Sequence, residues 1–184
     1  MTISRDEAAQ SLKDIERTAG RSAKAYAYQL SAPHLIWWGV IWFVGYGVTY
    51  LAPGPYLAWA WPTLSLIGVA GSFVIGKWMK PASAGFDWRY GATVLAVFAF
   101  FTAMFAVMPP RDVNDVGAFF PVFVALYYAL IGIWTPARRM LVLGIAIAAF
   151  TLVGFFEFPA IFPLWMAIVG GGGLVLGGVW LRTA

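Results

Sequence analysis

The sequence predicts an all-α, polytopic membrane protein: six transmembrane helices, readable as three hairpin repeats, preceded by an amphipathic N-terminal cytoplasmic helix. Three observations predict it. Of 184 residues, 61% are hydrophobic and 11% charged, whereas a soluble domain carries roughly a quarter charged. Nine of the twenty charged residues fall in the first 33, leaving eleven for the other 151. That remainder breaks at charges and prolines into runs near the roughly 20 apolar residues that cross about 30 Å of hydrocarbon. A soluble globular enzyme is thereby excluded, and the lipid bilayer is the chain's first partner.

The chain divides into residues 1–32, a cytoplasmic arm, and residues 33–184, the transmembrane domain. In the arm, Ser4-Arg5-Asp6-Glu7 fits the S-x-x-E capping box, in which hydroxyl and carboxylate each bond the other's backbone N–H. Ala8, Leu12, Ile15, Ala19, Ser22 and Tyr26 then recur at helical spacing. The face of Leu12, Ile15, Ala19 and Tyr26 suits a cytoplasmic protein partner or the membrane surface. Gly20 weakens the helix, and Pro33 is expected to end it and start the first span. The polar, acid-containing start lacks the pattern of a cleaved signal peptide, so residue 1 reads as the start, kept on the side of synthesis.

The spans are read at 33–51, 57–78, 89–108, 116–135, 137–158 and 160–181. Their runs are continuous rather than alternating, which argues against a barrel. Eleven of twelve basic residues fall on one side under this topology: the arm, the second connection (Lys77, Lys80, Arg89), the fourth connection (Arg138, Arg139) and Arg182. Arg111 alone lies opposite, with Asp112, Asp115 and Glu157. Cytoplasmic loops carry the Lys and Arg excess, so both termini face the cytoplasm of a bacterial inner membrane. Tryptophan favours the headgroup level. Trp37, Trp38, Trp78, Trp88, Trp134 and Trp180 fall at the inner edge, Trp59, Trp61 and Trp165 at the outer one, and Trp42 deeper.

Helices two, four and six share a pattern: Trp61-Pro62, Phe120-Pro121 and Phe162-Pro163 at the outer start, then Gly76-x-Trp78, Gly132-x-Trp134 and Gly178-x-Trp180 at the inner end. Three parallel hairpin repeats produce that pattern. So does convergence on the ordinary preferences of Pro for a first helical turn and Trp for an interface. Helix six holds Gly170–Gly173, Gly177 and Gly178, including a GxxxG at Gly173–Gly177. Gly170, Gly173 and Gly177 are expected to pack a helix or a homodimer face closely, because missing side chains let backbones approach. So many glycines also permit a kinked or unwound segment.

The chemistry is sparse. There is no Cys and one His, so thiolate nucleophiles and Cys-ligated zinc or iron–sulfur centres have no ligands within the chain, and bis-His haem lacks its second. The spans lack the buried charges that proton relays and voltage sensors need. His34 reads as a hydrogen-bonded imidazole at the inner interface, Arg111–Asp115 as a wet turn, and Asp87 and Arg89 as a loop ion pair. The net charge of +4 is inside bias rather than a nucleic-acid footprint. No catalytic, cofactor-binding or metal-binding residue is assigned. The expected function is non-catalytic: an accessory, sensory or scaffold protein acting through the arm. The competing reading is a carrier or channel for an uncharged or amphiphilic solute, with Tyr46, Thr49, Thr102 and Tyr127 converging on one polar pathway.

Overall fold

The computed structural model describes residues 5–79 and 88–183, with the side chains of residues 5–9, 16, 17, 21, 23, 24, 26 and 90 outside that description. Ser4 of the capping box, Lys80 and Asp87 therefore lie outside the described residues, as does the side chain of Tyr26.

All regular structure among the described residues is helical. The elements are α1 (Arg5–Leu51), α2 (Leu57–Met79), α3 (Trp88–Val107), α4 (Val113–Trp134), α5 (Arg138–Glu157) and α6 (Pro159–Arg182). These bounds lie within a few residues of those read from hydropathy, except at α1. Among the described residues, five helical stretches are long and apolar enough to cross a membrane: Ala27–Leu51, α2, α4, α5 and α6. The apolar part of α3, Gly91–Val107, is shorter.

One local expectation is corrected. Pro33 does not end the arm helix; α1 runs through it for 47 residues. Proline removes one helical hydrogen bond, but Ala32 and Leu35 beside it are fully buried, and this packing holds the helix together where local propensity would break it. The glycine-rich α6 is helical throughout but irregular, as its glycines permit. It opens with a 3-10 turn at Pro159–Ile161, is α-helical over Phe162–Trp165, widens to a π-helix over Met166–Gly171 and returns to α over Gly172–Arg182.

The helices adjoin in the order α2, α1, α6, α5, α4, and α3 joins α4 through phenylalanine rings. Phe101 stacks on Phe120 at 4.1 Å between centroids, Phe100 on Phe123 at 5.5 Å, and Phe105 meets Phe119 edge-on at 5.7 Å. The closest pairings, α4 with α5 and α1 with α6, cross between the proposed hairpins rather than lying within them. The α4–α5 pair is tight because its contact residues are small. A methyl at Gly144 would stand 2.6 Å from the Ala125 carbonyl oxygen, and one at Gly132 would stand 2.2 Å from the Leu141 nitrogen. The core is built from Tyr28, Leu35, Trp42 and Tyr46 of α1, Met140 and Leu143 of α5, and Phe162, Met166, Leu174 and Leu181 of α6. On α2 the one buried residue is Gly68, and on α3 Phe101 is buried. Large apolar side chains such as Leu66, Phe73, Leu95, Leu126 and Leu176 face outward, a surface that suits a membrane-embedded helical bundle.

Candidate functional site

The α1–α6 seam carries the glycines, in a different register from the GxxxG. Gly39 and Gly171 face each other, while a methyl at Gly178 would stand 2.8 Å from the Ala32 carbonyl oxygen. Of the three glycines singled out by sequence, Gly177 abuts Leu143 and Leu35, Gly170 meets only the flexible end of Met166 and the edge of Trp42, and Gly173 is exposed with nothing within 4 Å. Within the chain the backbones approach at Gly171 and Gly178 rather than at Gly173.

Four tryptophans expected simply at the interfaces instead seat their rings over glycines of a neighbouring helix. Trp37 covers Gly71, Trp38 covers Gly68, Trp61 covers Gly45 and Trp165 covers Gly154. Their indole N–H groups are all satisfied: Trp37 donates to the Gly68 carbonyl (2.9 Å), Trp38 to Ser72 Oγ (3.0 Å), Trp61 to Thr49 Oγ1 (3.1 Å) and Trp165 to the Phe150 carbonyl (2.8 Å). Trp59, Trp78, Trp88 and Trp134 are exposed, as interfacial anchors are. His34 belongs to the α1–α2 seam: Nδ1 lies 2.8 Å from the Leu30 carbonyl oxygen and Nε2 3.3 Å from that of Ser72.

At the end of the bundle where the arm leaves it, Arg139 joins three helices. Its Nη1 donates to the Trp180 carbonyl (2.7 Å) and to Thr183 Oγ1 (3.3 Å), and its guanidinium lies 4.7 Å from the Trp180 ring centroid. Its backbone N–H donates to the Tyr28 hydroxyl (3.2 Å). At the opposite end the polar cluster caps a helix. Asp112 accepts from the Asn114 and Asp115 amides, Asp115 from the Arg111 amide, and Asn114 Nδ2 reaches the Pro159 carbonyl at 3.0 Å. These bonds engage the turn's carboxylates in starting α4 and joining it to the α5–α6 connection.

The four residues of the polar pathway are not brought together. Tyr46 is buried and donates to the Gly117 carbonyl; Thr49 is buried, donates to the Gly45 carbonyl and accepts from Trp61. Thr102 is exposed and bonded to the Phe98 carbonyl on its own helix, and Tyr127 is 60% exposed. Tyr46 and Thr49 are close neighbours on α1, whereas Thr102 and Tyr127 point outward from α3 and α4.

A residue that sequence reasoning passed over is the more unusual one. Thr151 is 1% exposed, and its Oγ1 has no hydrogen-bond partner among the described residues. It lines a cavity of about 80 Å³ between α5 and the π-helical part of α6, with Ile147, Phe150, Met166, Gly170 and Gly173. Among the arm residues proposed as a contact face, Leu12 and Ile15 are 59% and 65% exposed, and Ala19 is exposed too. In comparisons with known proteins, no family model matches the chain, and neither a curated protein nor a solved structure shows significant similarity to it.

Proposed function

We propose that the chain is a six-span inner-membrane protein with both termini in the cytoplasm and a non-catalytic accessory, sensory or scaffold role, exercised through the α1 arm. The observation that carries this reading is the unbroken α1. Its apolar span begins at Ala27, so the 22 helical residues before it extend about 33 Å further at 1.5 Å per residue. A helix continuing directly out of a span rises from the membrane, whereas an interfacial helix must turn to lie along it. Exposed Leu12, Ile15 and Ala19 on such a stalk suit a cytoplasmic protein, or the same face of a second copy.

The six-span topology is supported by α3. Its 20 residues reach about 30 Å, and its rings lie against α4. An even count keeps the eleven basic residues on one side. The carrier reading is the weaker, because its four polar residues have separate surroundings. The arm reading is tested by affinity capture from native membranes with the full chain and with L12D/I15D. Capture of a defined partner, or self-association, that the double variant loses is the expected result; identical recovery overturns it. The chain lacks Cys, so orientation is tested separately with Ser11→Cys and Val113→Cys. An impermeant maleimide added outside should label only the second.

A further inference from the structure

The alternating four- and three-residue spacing of the arm does not stop at the membrane. Past Tyr26 it continues through Gln29 and Pro33 into the span as Ile36, Val40, Phe43, Gly47 and Tyr50. Positions repeating every 3.5 residues form one strip along a gently supercoiled helix. Among the described residues none on the strip is buried from Leu12 to Tyr50, and the buried residues of α1, Ala32, Leu35, Trp42 and Tyr46 among them, lie off it. The helix therefore gives one side to its own bundle and leaves the other open, in the arm and in the span alike. Gly47 shows the opening directly, since a methyl there would meet nothing within 4 Å.

We propose that this strip is the pairing surface of a parallel homodimer, in which the α1 helices of two copies lie side by side from Leu12 to Tyr50. The proposal rests on the reading of the arm as a contact face and extends that face into the bilayer. Two copies inserted the same way in one membrane hold their α1 helices parallel, so each position of the strip meets itself. A charged residue there would face its own like charge, which is costly at an interface. The strip carries none, whereas Lys13, Asp14, Arg17, Arg21 and Lys24 fall off it. Size decides between a partner on the arm alone and one along the whole helix. Leu12 to Tyr26 spans about 21 Å, and a contact strip about 10 Å wide on each partner buries about 400 Å² there, below the roughly 1,000 Å² of a specific interface. Leu12 to Tyr50 spans about 57 Å and buries about 1,100 Å², which reaches it. A soluble protein has no access to the span half of the strip, and a second copy covers both halves. Ala19, Ser22 and Gly47 on the strip let the two backbones approach closely.

The test is disulfide cross-linking of the full-length protein in native membranes, where the lack of Cys makes each introduced thiol unique. Under copper–phenanthroline oxidation, Ala19→Cys and Val40→Cys should each give a covalent dimer. Arg17→Cys, half a helical turn from the strip, and Leu126→Cys, facing outward on α4, should give little or none. Gly47→Leu has room for its side chain within one copy, so the circular-dichroism spectrum should not change. Between two copies it overpacks the seam, and it should cut the Ala19→Cys dimer at least about fivefold. Cross-linking at Ala19→Cys alone, equal cross-linking at all four sites, or an undiminished dimer in the Gly47→Leu background overturns the continuous pair. No dimer at either strip site, with a different protein still captured through Leu12 and Ile15, overturns the pair and leaves the arm reading standing; no dimer and no capture overturns both.

Discussion

Gly39 and Gly171 face each other across the α1–α6 seam so closely that neither site has room for a side chain. A methyl at Gly39 would stand 2.8 Å from the Gly171 carbonyl oxygen, and one at Gly171 would stand 2.6 Å from the Phe43 amide nitrogen. The obstructing atoms are backbone, so the helices themselves would have to separate. Where lipid removes the hydrophobic advantage of association, close backbone approach is a principal source of helix packing. Gly39→Leu and Gly171→Leu should each lower stability by about 3 kcal/mol or more, beyond ordinary core overpacking. Gly173→Leu, with open space around it, should not destabilise and should gain up to about 1 kcal/mol from the backbone freedom that glycine leaves the unfolded chain. Reversible unfolding in mixed micelles checks the order.

That contrast shows what the sequence disclosed. Glycine density in helix six announced a closely packed helix, and hydropathy with charge placement outlined the helical layout, because both are local properties. The packing register was not local. Six glycines between Gly170 and Gly178 leave smooth surface in several directions, and only the position of α1 decides which is used. The π-helical segment also rephases the helix just where a regular 3.6-residue reading was applied. Pro33 was misread for a related reason: a breaker was weighed without the burial of Ala32 and Leu35 that overrides it. Thr151 carried no signal at all, since a lone threonine in an apolar run normally bonds its own helix.

The three glycines placed in equivalent positions by the repeat pattern meet unequal surroundings. Gly76 has nothing within 4 Å, Gly132 meets the Leu141 backbone, and Gly178 meets the Ala32 carbonyl and Ile36. Gly76→Ala should therefore stabilise by about 0.5–1 kcal/mol, since alanine removes backbone freedom from the unfolded chain at no steric cost. Gly132→Ala and Gly178→Ala should destabilise by at least about 1 kcal/mol through overpacking. Equal effects at all three sites, measured by thermal unfolding, would contradict these environments.

Arg139 serves as more than a cytoplasmic-side charge. Its planar guanidinium bonds the last turn of α6 and lies over Trp180, while its amide holds Tyr28 of α1. Lysine lacks the fork and the stacking plane, so Arg139→Lys should fail to restore the stability lost in Arg139→Ala, a loss of about 1–2 kcal/mol. Tyr28→Phe removes the hydroxyl that accepts from the Arg139 amide and should cost about 1 kcal/mol or more. In hydrogen exchange, amides near Trp180 should exchange faster in both Arg139 variants; full protection in Arg139→Lys would show that charge alone suffices.

Thr151→Val separates a hydroxyl that the fold uses from one that it merely buries. If the hydroxyl were part of the fold's own hydrogen bonding, its removal would destabilise the protein by about 1 kcal/mol. It has no partner among the described residues, so the near-isosteric valine instead relieves a buried unsatisfied group and should stabilise the protein by about 1–2 kcal/mol. Chemical unfolding of the two proteins in the same mixed micelles decides between these: a variant less stable than wild type would assign the Thr151 hydroxyl to the bonding of the scaffold.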